Sequence, residues 1–257
     1  MTIISLTTDF GLADGYVGIM KGVILGIAPH ACLVDLSHDI APQDIRRASY
    51  VLARAAPYFP TGTIHLAVVD PGVGSHRRPL LVTTEQARYV GPDNGIFSHV
   101  LGQGDAQAWA LDQPRYWLPQ VGQTFHGRDI FAPVAAHLAA GIAPERLARR
   151  IHDPICLALP EPSRRPDGHI HGEIIYVDHF GNLISNVPAA WVARGGWSCR
   201  IAGRSAPLVS AYAEVADGAP AALISSSGTV ELAVRNGNAS RTFNVGTGEK
   251  LELWPMT

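Results

Sequence analysis

Four segments of this 257-residue chain share one layout, in which an apolar run delivers an acidic residue into a loop containing glycine. They are Thr7-Thr8-Asp9-Phe10-Gly11, Val69-Asp70-Pro71-Gly72-Val73-Gly74, Gly91-Pro92-Asp93-Asn94-Gly95 and Val177-Asp178-His179-Phe180-Gly181-Asn182. A fifth, Phe125-His126-Gly127-Arg128-Asp129, puts three ionisable side chains into four positions ahead of a helical pattern. Carboxylates and imidazoles are the groups that orient water, take its proton or hold hydroxyls. Each segment alone has a plainer use. Asp70-Pro71-Gly72 is an ordinary turn sequence, Asp129 stands where a helix cap would, and His126 suits a satisfied interior position. Four recurrences exceed what turns alone require, and they point to a small polar substrate.

Two other patterns carry less. Gly72-Val73-Gly74 lacks the third glycine of a dinucleotide fingerprint and the Gly-Lys-Ser/Thr of a phosphate loop. Its glycines are expected to let a ligand approach the backbone. His169-Ile170-His171 places two imidazoles on one strand face, but no Cys, Asp or Glu stands near at ligand spacing, so no metal is expected.

The elements that must position these residues are legible in the apolar periodicity. Residues 2–6, 32–36, 63–69, 80–83, 89–90 and 108–111 read as strands, and residues 63–69 as one covered on both faces. Tyr16, Met20, Val23 and Ile27 mark one face of a helix. Residues 44–59 form a second helix that stops before Pro60, and residues 97–101 and 130–140 two more. This alternation predicts a layered α/β domain over residues 1–157 with a substantially parallel sheet, and in such sheets ligands bind at the carboxyl ends of strands. Residues 158–168, rich in proline, read as a linker. Residues 169–257 carry short strands at 172–177, 199–201, 222–224, 229–234 and 250–253, which predicts a smaller, mostly antiparallel β domain.

Composition removes several function classes. Hydrophobic residues make up 47% and charged residues 16% of the chain, so it packs a core. A net charge of -2 provides no drive toward nucleic acid or anionic membranes. No run of 18 apolar residues exists to span a membrane, and the first residues lack the basic start of a secretion signal. Cys32, Cys156 and Cys199 are far apart in sequence and read as buried free thiols in a reducing compartment. The expectation is a cytoplasmic enzyme without nucleic-acid or membrane partners.

Taken together, the motifs TTDFG, VVDPGVGS followed by Arg77, GPDNG, TFHGRDIF, DHFGN and SSSGTVELAVRNGNAS resemble the S-adenosylmethionine hydroxide adenosyltransferases, relatives of the fluorinating and chlorinating adenosyl-halide synthases. The similarity covers nearly the whole chain, and it implies a Rossmann-like α/β first domain and a β-barrel-like second domain. It implies attack of water on the ribose C5′ of S-adenosyl-L-methionine (SAM), giving adenosine and methionine, with no cofactor and no metal. By the same resemblance Asp70, Arg77 and His126 form a catalytic Asp–Arg–His triad beside the water. Asp9 matches the carboxylate that holds both ribose hydroxyls. Asp178 and Asn182 match contacts to the methionine amino group and the adenine, with Phe125 and Phe180 also at the substrate. Ser226, Asn238 and Ala239 match segments near the methionine carboxylate and the adenine edge. The family assembles as a homotrimer with sites at subunit interfaces, and its halide-using members carry an uncharged aromatic where this chain has Asp70. Three other readings compete: a protein that binds adenosyl compounds without turnover, an adenosyl-halide synthase, and a metal-dependent hydrolase using Asp9, Asp70, His126 and Asp129.

Overall fold

The computed structural model describes residues 1–192 and 196–256, and its internal contacts divide the chain into the units Met1–Leu157 and Ala158–Thr257. The first unit contains β1 (Ile3–Thr8), α1 (Tyr16–Ile27), β2 (Cys32–Ser37), α2 (Ile45–Ala55), β3 (Thr63–Val68), β4 (Pro79–Thr83), β5 (Ala87–Pro92), α3 (Ser98–Leu101), β6 (Gln107–Ala110), α4 (Ala132–Ala139), α5 (Pro144–Leu147) and β7 (Arg149–Ile151). Its sheet runs β2-β1-β3-β5-β4-β6-β7. The first four strands pair in parallel and the remainder antiparallel, so the expected parallel character holds for the half of the sheet that carries Asp9 and Asp70.

β3 explains why this half is stable. All six of its residues are buried. Leu66 and Val68 face a core shared with α1 and α4, while Ala67 and Val69 face a second core with α2 and Phe97. Alternate side chains of a strand point to opposite faces, so an uninterrupted apolar run demands cover on both. Truncating Leu66 to alanine here would cost about 2–5 kcal/mol.

The helices differ from their sequence reading in detail. α1 buries Val17, Met20 and Ile24, a stripe rotated from the expected one because Tyr16 turns into an aromatic cluster instead. Asp44 caps α2 by accepting from the Arg47 N–H at 2.9 Å, and a short 3-10 turn at Ala56–Tyr58 carries the chain to Pro60. The expected helix from residue 130 begins earlier, as a π-turn over Gly127–Phe131 that leads into α4.

The second unit contains β8 (Ser163–Arg164), β9 (Ile170–Val177), β10 (Leu183–Pro188), β11 (Trp197–Ile201), β12 (Arg204–Pro207), β13 (Pro220–Ile224), β14 (Thr229–Val234), α6 (Ala239–Phe243) and β15 (Lys250–Pro255). Its strands run β12-β11-β15-β9-β10-β14-β13, all antiparallel, and a bridge between Leu208 and Ala222 brings the two edges together into a nearly closed barrel. The proline-rich stretch contributes β8, which pairs with β9 across the Pro166-Asp167-Gly168 turn. β10 has no counterpart in the sequence reading because Asn, Ser and Pro interrupt it. Its Ser185 is nevertheless fully buried, satisfied by donating to the Val230 carbonyl at 2.6 Å.

Glu252 of β15 stands opposite His171 in the sheet and accepts from His169 Nδ1 at 2.8 Å, so an acidic neighbour distant in sequence does meet this histidine pair. Among the described residues, no three His, Cys, Asp or Glu side chains form a group able to hold a metal ion, and no helix is long and apolar enough to cross a membrane. Of the three free cysteines only Cys199 is buried, where loss of hydration pushes its thiol up to about 12; Cys156 is exposed, against expectation.

Candidate active site

β1 and β3 are parallel neighbours with Thr8 opposite Val68, so Asp9 and Asp70 emerge at the same, carboxyl end of the sheet. The loop after β3 is a succession of tight turns. Val73 N donates to Asp70 O, Ser75 N and Oγ both donate to Gly72 O, and Arg77 N donates to Ser75 Oγ. These turns bring Arg77 back over Asp70. Its Nε donates to Oδ1 at 2.9 Å and to Oδ2 at 3.0 Å, and its Nη2 reaches Oδ2 as well. The two side chains are only 8% and 5% exposed, so the pair is screened from solvent. Phe131 supports the guanidinium from behind, its ring 5.1 Å from Arg77 Cζ.

Arg77 Nη2 also lies 2.8 Å from His126 Nδ1. A guanidinium has donors only, so Nδ1 must be the acceptor and the imidazole is neutral with its proton on Nε2. Electrostatics agree: burial first, and then the Arg77 charge, hold His126 below its ordinary 6.5, with Asp70 opposing. His126 immediately precedes the π-turn, a distortion that recurs at functional sites because it re-aims one residue of a helix. Asp129, fully buried in that turn, accepts from Gly122 N at 2.8 Å and pairs with Arg128. It pins the incoming loop and caps nothing. Burial pushes Asp129 up, but Arg128 and the Gly122 N–H pull it below the usual carboxylate value.

Gly74 explains how the two loops meet. Its φ is +76°, and a Cβ there would lie 2.3 Å from the Gln123 carbonyl oxygen. The glycine therefore admits the chain's own backbone, where the sequence suggested a ligand. The GPDNG loop is likewise a scaffold: Asp93 is buried against Arg78 and the Ile155 N–H, while Asn94 donates to the Val69 carbonyl directly before Asp70.

Asp9 accepts from the Gln43 N–H at 2.8 Å. Beside it Phe10, Tyr16 and Phe125 form a three-ring edge-to-face cluster with centroids 5.2–5.9 Å apart, which ties the Asp9 loop to the residue preceding His126. Phe10, Tyr16 and Phe131 were not expected at the site; the signal for two of them was their place inside a motif, Phe10 in TTDFG and Phe131 in TFHGRDIF.

The second unit gathers a different group. Asp178 and Asn182 close the β9–β10 turn, Asn182 donating from N at 2.8 Å and from Nδ2 at 3.1 Å. Gly181, at φ +86°, leaves room for Asn238, whose side chain a Cβ would overlap at 2.1 Å. Asn238 in turn caps α6. Phe180 is 72% exposed at the tip of this turn. Ser226 is exposed on the β13–β14 turn, at the opposite end of β14, so it is not brought to the others. Ala239 is fully buried in the barrel core, leaving only its backbone for any ligand. An open hollow of about 830 Å³ in the first unit, lined by Thr61, Glu85, Arg88, Asp105, Trp109 and Arg150, sits at the other end of the sheet and contains none of these groups.

A family model described as SAM hydroxide adenosyltransferase N-terminal domain matches residues 4–148, and its C-terminal counterpart matches residues 172–252. A Thermus thermophilus protein named (R)-S-adenosyl-L-methionine hydrolase is 40% identical, covering 96% of this chain and 97% of its own length. A fluorinase from an Actinoplanes species is 26% identical over 96% of this chain and 95% of its own. The crystal structure of an uncharacterized conserved protein from Thermotoga maritima superposes with a TM-score of 0.90 at 34% identity, covering 97% of this chain and 99% of that one.

Proposed function

This chain belongs to the SAM hydroxide adenosyltransferase family, and on that premise we propose that it hydrolyses SAM to adenosine and L-methionine. The observation that carries this reading is the Asp70–Arg77–His126 contact chain at the carboxyl end of the parallel strands. Water attacks C5′ in line with sulfur, the C5′–S bond breaks, and its electron pair becomes a thioether lone pair of methionine. One proton is released.

Free hydroxide at pH 7 would cost about 12 kcal/mol, from a water pKa near 15.7 at about 1.36 kcal/mol per unit. The proton therefore leaves during or after attack, with geometry supplying most of the acceleration. The lone pair of neutral His126 is engaged by Arg77, which makes Asp70 the acceptor and His126 the residue that orients the guanidinium. An anionic nucleophile would meet the Asp70 carboxylate and be repelled, which favours water over halide. Asp9 holds the ribose hydroxyls; Asp178 takes the methionine ammonium; Asn182, Asn238 and the backbone at Ala239 take the adenine; Phe180 and Phe125 supply apolar cover.

The active form is a cytoplasmic homotrimer with its sites completed at subunit interfaces. Exposed Leu12, Tyr16, Ile19 and Leu25 leave apolar surface on the N-terminal unit that self-association would cover. Incubation with SAM in EDTA, without halide, is expected to yield adenosine and methionine in equal amounts. Intact SAM with retained binding would favour the non-catalytic reading, and loss of turnover on chelation the metal-dependent one.

A further inference from the structure

A second polar chain lies beside the site and is not part of the triad. Lys21 Nζ donates to Asp35 Oδ2 at 2.6 Å, and Asp35 Oδ1 lies 3.0 Å from His38 Nε2. His38 Nδ1 is 2.8 Å from Thr8 Oγ1, which accepts from the Phe10 N–H at 3.2 Å. Asp35 as acceptor requires a proton on Nε2, and in the neutral imidazole the Thr8 hydroxyl then donates to Nδ1. An ion pair at the surface is thus linked step by step to the backbone on either side of Asp9.

The order carboxylate, imidazole, hydroxyl is that of a nucleophile relay. Thr8 is fully buried, however, and no substrate atom can reach its oxygen. The chain therefore positions rather than reacts. Two further contacts close it around Asp9. Gly11 N donates to the His38 carbonyl at 2.9 Å. Gln43 N donates to Asp9 Oδ2, and Gln43 has a φ of +68°, a left-handed backbone that a non-glycine residue adopts only where surroundings over-determine it. Irregular pairing of β1 with β2 at Leu6 and Thr7 brings His38 alongside Thr8.

We propose that His38 and Gln43 form a clasp that aims the Asp9 carboxylate at the ribose hydroxyls, making them positioning residues for sugar selectivity. This rests on the ribose role of Asp9 given above. A clasp of this kind acts through Asp9 alone, so its loss should be felt only by a substrate that Asp9 can grip.

The test compares SAM with its 2′-deoxy analogue in wild type, His38→Ala, Thr8→Val, Thr8→Ser, Asp9→Ala and the His38→Ala/Asp9→Ala double variant. Wild type should discriminate against the deoxy sugar. His38→Ala and Thr8→Val should raise the KM for SAM about tenfold, the scale of one charge-assisted hydrogen bond, with kcat and the deoxy KM little changed. Thr8→Ser should restore wild-type selectivity, and His38→Ala should add nothing in the Asp9→Ala background. Equal losses on both sugars, or a full additional loss in the double variant, would overturn the clasp. Binding of adenosine and 2′-deoxyadenosine by calorimetry gives the same comparison without turnover, so failure of the clasp is separable from failure of hydrolysis. Wild-type indifference to the sugar would overturn the ribose role of Asp9 and the clasp with it.

Discussion

In the N-terminal unit Arg77 already touches both Asp70 and His126, and the Asp70 and Arg77 side chains are largely shielded from solvent, whereas in the C-terminal unit Phe180 and Ser226 stand exposed on turns. The first group has its hydrogen bonds made before any ligand arrives; the second is mostly apolar or polar surface with little to hold it. This division suits a substitution at carbon. Groups that meet charge in the transition state are best preorganised in a dry setting, while groups that grip adenine and amino acid gain from being accessible. The loops reflect the same difference. Gly74 admits the chain's own Gln123, and Asn94 braces Val69, so the triad rests on scaffolding. Around Asp178 the turn is held mainly by its own Asn182 and by Asn238.

If the contrast is real, damage to the two groups should appear in different kinetic constants. The largest effect is expected from Asp70→Asn, which keeps an acceptor for Arg77 but weakens the proton acceptor. The expected fall in kcat is about 10³-fold, within the range of general-base catalysis, with SAM affinity retained by calorimetry. His126 gives the sharper test. His126→Ala should lower kcat about 10²-fold by freeing Arg77, while His126→Asn, which can accept from Arg77 but cannot take a proton, should stay within about tenfold of wild type. Asn as damaging as Ala would return the proton to His126. In the other unit, Phe180→Ala should raise KM about tenfold, the scale of one lost base–aromatic stack, and leave kcat unchanged.

The pH profile should show the smallest change near neutrality. His126 has a native pKa below its ordinary 6.5, so the native state binds this proton more weakly than the unfolded chain. The stability it contributes is complete above pH 6.5 and is lost as pH falls through the native value. Activity that depends on the neutral imidazole follows the same sign, with the midpoint of its acid limb below pH 6.5. An acid limb at or above 6.5 that disappears in His126→Asn would contradict the neutral tautomer.

Sequence carried much of this in advance, and where it stopped has physical reasons. The fully buried β3 and the Asp9 and Asp70 loops were legible because apolar runs and acidic turns are local signals. β10 was not, since Ser185 and Asn186, which read as loop, are satisfied by neighbouring strands, Ser185 by the Val230 carbonyl and Asn186 by the Glu173 N–H. The π-turn before α4 leaves no periodicity of its own. The tautomer of His126 also needed geometry, because it is read from the contact between Arg77 and Nδ1. The His38 chain joins residues 8, 35 and 38 across two strands, a proximity set by register and invisible to spacing.

The most direct test of water attack at C5′ is turnover of SAM in water enriched in oxygen-18, with products read by mass spectrometry. The account predicts adenosine labelled at its 5′ oxygen together with unlabelled methionine, and none of either from Asp70→Ala. Adenosine without the label, or label in methionine, would contradict it.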